Sequence, residues 1–98
     1  MDFQVLYTGT ALADLEEIFN RSWEKHPGTT ERFANSLLNH IDLLGSFPRL
    51  GAPTDYPGVR RLVHYPLHVY YRIRADEKRV EILRLWHAAR NPPRLPEG

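Results

Sequence analysis

The side chains best placed to do chemistry stand near the C-terminal end, where His87 and Arg90 form an H-x-x-R pair at the close of an apolar run. An imidazole beside a guanidinium can move a proton and hold negative charge building up on a phosphoryl group. Arg61, on an earlier apolar run, completes the set. A plainer reading stands beside this one. His87 can serve as a polar strand-end residue fixing the turn Ala88-Ala89-Arg90, and Arg90 as a clamp onto backbone carbonyls or a carboxylate. Arg60 and Arg61 are adjacent on a strand and so point to opposite faces, leaving at least one of them free to be simply solvated.

Other chemistries find little support. There are no cysteines, which removes disulfides and thiolate metal sites and suits a reducing compartment. His64 and His68 are four apart, but Pro66 puts a turn rather than a helix between them, and no carboxylate or thiol partner is near, so no metal is expected. Ser22, Ser36 and Ser46 lack a companion His/Asp pattern. No glycine-rich phosphate loop occurs, and no cofactor is expected.

These residues need elements to position them. Phe3-Gln4-Val5-Leu6-Tyr7 is aromatic and β-branched and predicts a strand. Thr8 or Thr10 can cap a following helix, whose stripe is Leu12, Leu15, Phe19 and Trp23 with Ala11 and Ile18. Asp14, Glu16 and Glu17 lie near its start, where the helix dipole favours negative charge. Pro27-Gly28 breaks the chain, and Thr29 or Thr30 can cap a second helix striped by Ala34, Leu37, Ile41 and Leu44, with Phe33 and Leu38 beside them. Residues 45–58, rich in proline and glycine, read as a loop.

Three strand-like runs follow: Val59 to His64, Leu67 to Arg74 and Arg79 to His87, separated by hairpin-sized gaps. In the middle run Val69, Tyr71 and Ile73 alternate with His68, Tyr70, Arg72 and Arg74. The last run is apolar on both faces, with Leu83 and Leu85 on one and Val80, Ile82 and Trp86 on the other, which predicts a central strand or one covered by a partner. The order is β-α-α-β-β-β, an α+β fold with a helical hairpin on a four-stranded, mainly antiparallel sheet. Residues 1–91 form one domain, and residues 92–98 are expected to be a proline-rich disordered tail.

Net charge is +1 over 98 residues, yet it is unevenly spread. Residues 1–48 carry three basic side chains against seven acidic, a balance of −4, and residues 49–98 carry ten against five, a balance of +5. A positive second half favours an anionic partner. Eleven of the thirteen basic residues are arginines, the better group for bidentate, partly desolvated contacts. No run is long and apolar enough to span a membrane, and the N-terminus lacks the layout of a secretion signal. A cytoplasmic protein is expected.

The motifs in order resemble the RelE/ParE superfamily of small toxins. Asp14-Leu15-Glu16-Glu17-Ile18 is similar to the family's first-helix motif, and Leu44-Gly45-Ser46-Phe47-Pro48-Arg49-Leu50-Gly51 to its helix-to-loop signature. Val59-Arg60-Arg61-Leu62-Val63 resembles the strand after that loop. Tyr70-Tyr71-Arg72-Ile73 with the run from Val80 to Arg90 looks like the closing hairpin of the ParE-like, plasmid-stabilisation branch. The resemblance covers residues 3–91.

It implies a type II toxin neutralised by a cognate antitoxin, with either of two activities. ParE-like members bind DNA gyrase without chemistry of their own, and RelE-like members are ribosome-dependent endoribonucleases that cut mRNA. Under the second, His87 would transfer protons while Arg61 and Arg90 hold phosphate. Against it, residues 49–64 contain no lysine, no tyrosine follows Tyr71, and a net +1 is meagre for work on ribosomal RNA. The first is therefore preferred, with no catalytic residues and with Tyr71, Arg72, Arg74, Arg84 and Trp86 as partner contacts. A non-toxic interaction module is the remaining alternative.

Overall fold

Thr8 starts the first helix. Its Oγ1 accepts the Ala11 N–H at 3.2 Å and donates to the Ile82 carbonyl at 2.9 Å, so one hydroxyl both caps the helix and ties it to a strand. The computed structural model describes residues 2–95, with the backbone alone at Trp23. Its elements run β1 (Gln4–Tyr7), α1 (Gly9–Lys25), α2 (Pro27–Asp42), a 3-10 turn (Leu43–Gly45), β2 (Ala52–Pro53), β3 (Val59–His64), β4 (Leu67–Arg74), a second 3-10 turn (Ala75–Glu77) and β5 (Arg79–His87). The sheet order is β1-β5-β4-β3-β2, with β1 parallel to β5 and every other pair antiparallel.

The helical pair and the α+β class match expectation, and the sheet has five strands rather than four. The extra one is β2, two residues pairing Ala52 with Arg61 and Pro53 with Arg60 at the sheet edge. Proline is tolerated at a sheet edge, where alternate N–H groups face solvent rather than the ladder. Helix α2 begins at Pro27, earlier than the threonines suggest, and no side chain caps it. Proline suits a first helical turn, where its missing N–H would be unpaired anyway. Thr30 is instead buried inside the helix, where its hydroxyl donates to the His26 carbonyl at 2.7 Å and meets Ser22 Oγ at 2.5 Å.

The main core lies between the helices and one sheet face. Ala11, Leu37, Ile41 and Leu44 meet Leu62, Leu67, Val69, Tyr71, Val80, Ile82 and Leu85, with Leu15, Ile18, Phe19 and Phe33 packed at the margin. Leu12, expected in the α1 stripe, is 50% exposed. The Trp23 side chain lies outside the described residues.

A smaller cluster of Val59, Tyr70, Leu83 and Leu95, with Trp86 beside it, occupies the sheet face away from the helices. Leu83 and Leu85 therefore fall on different faces, contrary to simple alternation. The cause is a bulge: Tyr71 pairs with Ile82 but Tyr70 pairs with Arg84, so Leu83 is an extra residue in β5. Beyond it the side-chain phase reverses, and Leu85 joins Val80 and Ile82 against the helices. As expected, β5 lies inside the sheet, between β1 and β4.

Candidate partner-binding surfaces

Strand β1 pairs with β5 only as far as Ile82, whereas β5 continues to His87, leaving more than half of β5 without a strand on that side. Helix α1 fills part of that gap. Asp14 accepts from Arg84 Nε at 2.8 Å, from Arg84 Nη2 at 3.0 Å and from the Leu85 backbone N–H at 3.1 Å. This fork is the strongest polar geometry available to a guanidinium, and it raises the Arg84 pKa above its ordinary value, with Asp14's hydrogen bonds outweighing partial desolvation. Because α1 starts at Gly9, Asp14 lies past its first turn and serves the sheet rather than the helix dipole.

Below this junction, α1, the start of α2 and the end of β5 enclose a groove of about 570 Å³. Its floor includes Ile18, Phe33 and Leu67, and its polar rim includes Arg84, His87 and Arg90. Trp86 also lines it, with the Arg84 guanidinium 4.8 Å and the Arg90 guanidinium 4.3 Å from its ring centroid. The indole N–H donates to the Asn91 carbonyl at 2.5 Å. An apolar floor with an aromatic–arginine rim is the composition that protein interfaces favour.

The face away from the helices is a second surface. By register it carries Arg61 beside Tyr70, Arg72 between Val59 and Glu81, and Arg74 beside Arg79. Glu81 pairs with Arg74 at 3.1 Å and with Arg79 at 3.5 Å, and Glu77 also pairs with Arg79. Arg61 and Arg72 have no carboxylate or other side-chain hydrogen bond among the described residues, and the Nε of each is buried without an acceptor. The His68 pKa is lowered, by desolvation and then by the Arg61 charge.

Tyr71 offers no surface to a partner. It is wholly buried on the helix side, donating to the Pro48 carbonyl at 2.7 Å and accepting the Gly51 N–H at 2.9 Å. It anchors the loop before β2. Arg60 works on the same loop, donating to the Gly51 and Arg49 carbonyls. Among the other expected partner contacts, Arg84 is already committed to Asp14 and Arg74 to Glu81, while Trp86 lines the groove.

The chemistry set is only half assembled. His87 and Arg90 line the groove, and the Arg90 N–H donates to the His87 carbonyl at 3.1 Å. Arg61 is not among the groove residues and sits two strands away on β3. His64 and His68 also separate: His64 faces α2, with its Nδ1 2.7 Å from His40 Nδ1, and His68 faces the opposite way toward Tyr70. Among the described residues no group of three or more His, Cys, Asp or Glu could hold a metal ion. The His40–His64 contact and the Asp14–Arg84 fork were not anticipated. Asp14 did stand in a recognised motif, but no spacing signal links it to β5.

Comparison with known proteins places this geometry. Residues 5–92 match the family model described as the ParE toxin of type II toxin-antitoxin system, parDE, and the chain belongs to that family. The chromosomal ParDE toxin-antitoxin system from P. aeruginosa contains a similar chain, with TM-score 0.73 and 23% identity over 87% of this chain and 95% of that one. The RelBE2 toxin-antitoxin complex from Mycobacterium tuberculosis gives 0.63 and 23% over 89% and 99%. The intact E. coli RelBE toxin-antitoxin complex gives 0.55 and 15% over 90% and 99%. No curated protein matches by sequence. No helix among the described residues is long and apolar enough to cross a membrane.

Proposed function

We propose that this ParE-type toxin arrests growth by binding a target protein, DNA gyrase, and that a cognate antitoxin neutralises it by occupying the groove at the end of β5. The separation of Arg61 from His87 and Arg90 carries the choice of binding over cleavage. Metal-free RNA cleavage needs its proton-transfer group and its phosphate clamps around one scissile bond, and here one clamp lies on a different surface. The likeness to chains solved in toxin-antitoxin complexes supports the antitoxin partner. The groove's apolar floor and Trp86–arginine rim fit an amphipathic segment of such a protein.

Inducing the chain alone, then assaying gyrase supercoiling and cleavage of ribosome-bound mRNA, tests the reading. Growth arrest with inhibited supercoiling and intact mRNA is expected. The ribonuclease alternative keeps one favourable observation, His87 and Arg90 on one groove. It requires that His87→Ala abolish arrest, whereas the binding reading expects His87→Ala to remain toxic. Arrest lost in that variant, with cleaved message in the parent, would overturn the proposal.

A further inference from the structure

Arg72 is 8% exposed, and its Nε has no acceptor. A buried cationic donor without a partner is rare in native proteins and marks a place where an acceptor arrives from outside. Arg61 repeats the pattern one diagonal step away, since Arg61 is in register with Tyr70 and Arg72 with Val59. The C-terminal segment covers part of the same sheet face. Leu95, 7% exposed, packs on Val59, Tyr70 and Leu83, which are the residues flanking Arg72 on that face.

We infer that residues 91–95 form a displaceable strap over an arginine site, and that an extended acidic peptide takes the strap's place. The strap is held at few points: Pro93 and Leu95 are its buried residues, and its carbonyls accept from Trp86 Nε1 at Asn91 and from the Tyr56 hydroxyl at Pro93, at 2.5 and 3.4 Å. Pro92 and Pro93 have no N–H, so they cannot knit the strap to the sheet as a further strand. An incoming peptide would put an apolar side chain where Leu95 sits and carboxylates on Arg61 and Arg72. Guanidinium–carboxylate pairing is already this sheet's own usage, at Arg74–Glu81 and Arg84–Asp14. An apolar slot beside the arginines favours a peptide over a nucleic acid backbone. The inference deepens the antitoxin reading above by giving a partner a second surface and a gate.

The test uses the full chain with two probes, a fluorescein-labelled peptide of alternating leucine and glutamate and a labelled oligouridine. Loosening the strap with Leu95→Ser should raise peptide affinity about tenfold, because the closed strap no longer taxes binding. Arg72→Gln, or the less buried Arg61→Gln should Arg72→Gln misfold, should remove that gain. In the unaltered protein, exchange of the Trp86 indole N–H, which donates to the strap at the Asn91 carbonyl, should quicken when peptide saturates. Unchanged or weaker peptide binding by a folded Leu95→Ser protein overturns the strap, as does slow exchange in the saturated complex. Tighter oligouridine binding with no gain for peptide overturns the partner class. Growth arrest is scored separately: a non-toxic chain whose peptide binding still depends on Leu95 sinks the toxin proposal alone.

Discussion

Asp14 and Arg84, seventy positions apart, form a forked ion pair that fastens the side of α1 to the open edge of β5 beyond β1. Asp14 also accepts the Leu85 N–H, so one carboxylate closes a sheet edge that would otherwise present an open donor. The pair is largely shielded, with side chains 21% and 13% exposed. It therefore belongs with the structural ion pairs, not the solvated ones.

Asp14→Ala should cost about 2–3 kcal/mol, the usual range when charged hydrogen bonds are lost and their donors stay behind. Urea unfolding would show a lower midpoint with an unchanged slope. Asp14→Asn, which keeps one acceptor oxygen, should lose less, and adding Arg84→Met to Asp14→Ala should recover part of the loss.

The Tyr71 hydroxyl bridges the Pro48 carbonyl and the Gly51 N–H, both in the loop leading to β2. Tyr71→Phe leaves those groups without this partner and should cost about 1–3 kcal/mol. Amide exchange at Gly51 should speed up more than exchange in β4 itself. Equal protection at Gly51 in the two proteins would show that the hydroxyl holds nothing.

A Cβ on Gly51 would stand 2.7 Å from the Arg61 carbonyl oxygen and 2.8 Å from both its carbon and Tyr71 Cε1. Strand backbone cannot step aside cheaply, so Gly51→Ala should destabilise by about 1–3 kcal/mol. Gly28→Ala is the control, since nothing lies within 4 Å of its added carbon. Placed in α2, that change should stabilise by about 0.5–1 kcal/mol.

His64 should make stability fall in acid. Desolvation and then the neighbouring His40 lower its pKa below 6.5, so the unfolded chain binds the proton more readily than the native one. Its contribution is complete above pH 6.5 and disappears as pH drops through the lower native value. His68 shifts in the same direction, through desolvation and Arg61. Urea midpoints taken between about pH 5 and pH 8 should therefore decline below 6.5, and His64→Gln should flatten that decline without abolishing it. A parent protein equally stable throughout that range would refute the assignment.

Much of this fold can be read from residue order. The alternation of Val69, Tyr71 and Ile73 places the inner face of β4, and Leu37 and Ile41 place the buried side of α2. What escaped reading was set by contacts distant in sequence or by single-residue irregularities. Leu83 is one inserted residue, and period-two reasoning cannot survive an insertion it does not know about. Strand β2 is two residues inside a proline-rich segment, too short to show any period. Tyr71 looked available to a partner because aromatic residues serve cores and interfaces alike, and only its bonds to Pro48 and Gly51 decide between them. The arginines were visible as a charge asymmetry, but their division into occupied and unoccupied groups depends on where Glu77, Glu81 and Asp14 come to rest.

The parallel partnership of β1 with β5 has a consequence for biosynthesis. The first strand to leave the ribosome has no hydrogen-bonded neighbour until the last one emerges, because β5 alone adjoins it. A chain lacking residues 79–87 cannot complete the sheet, and β1 is then left without a strand partner. Closure of the sheet therefore waits on β5, the last of the five strands to be made.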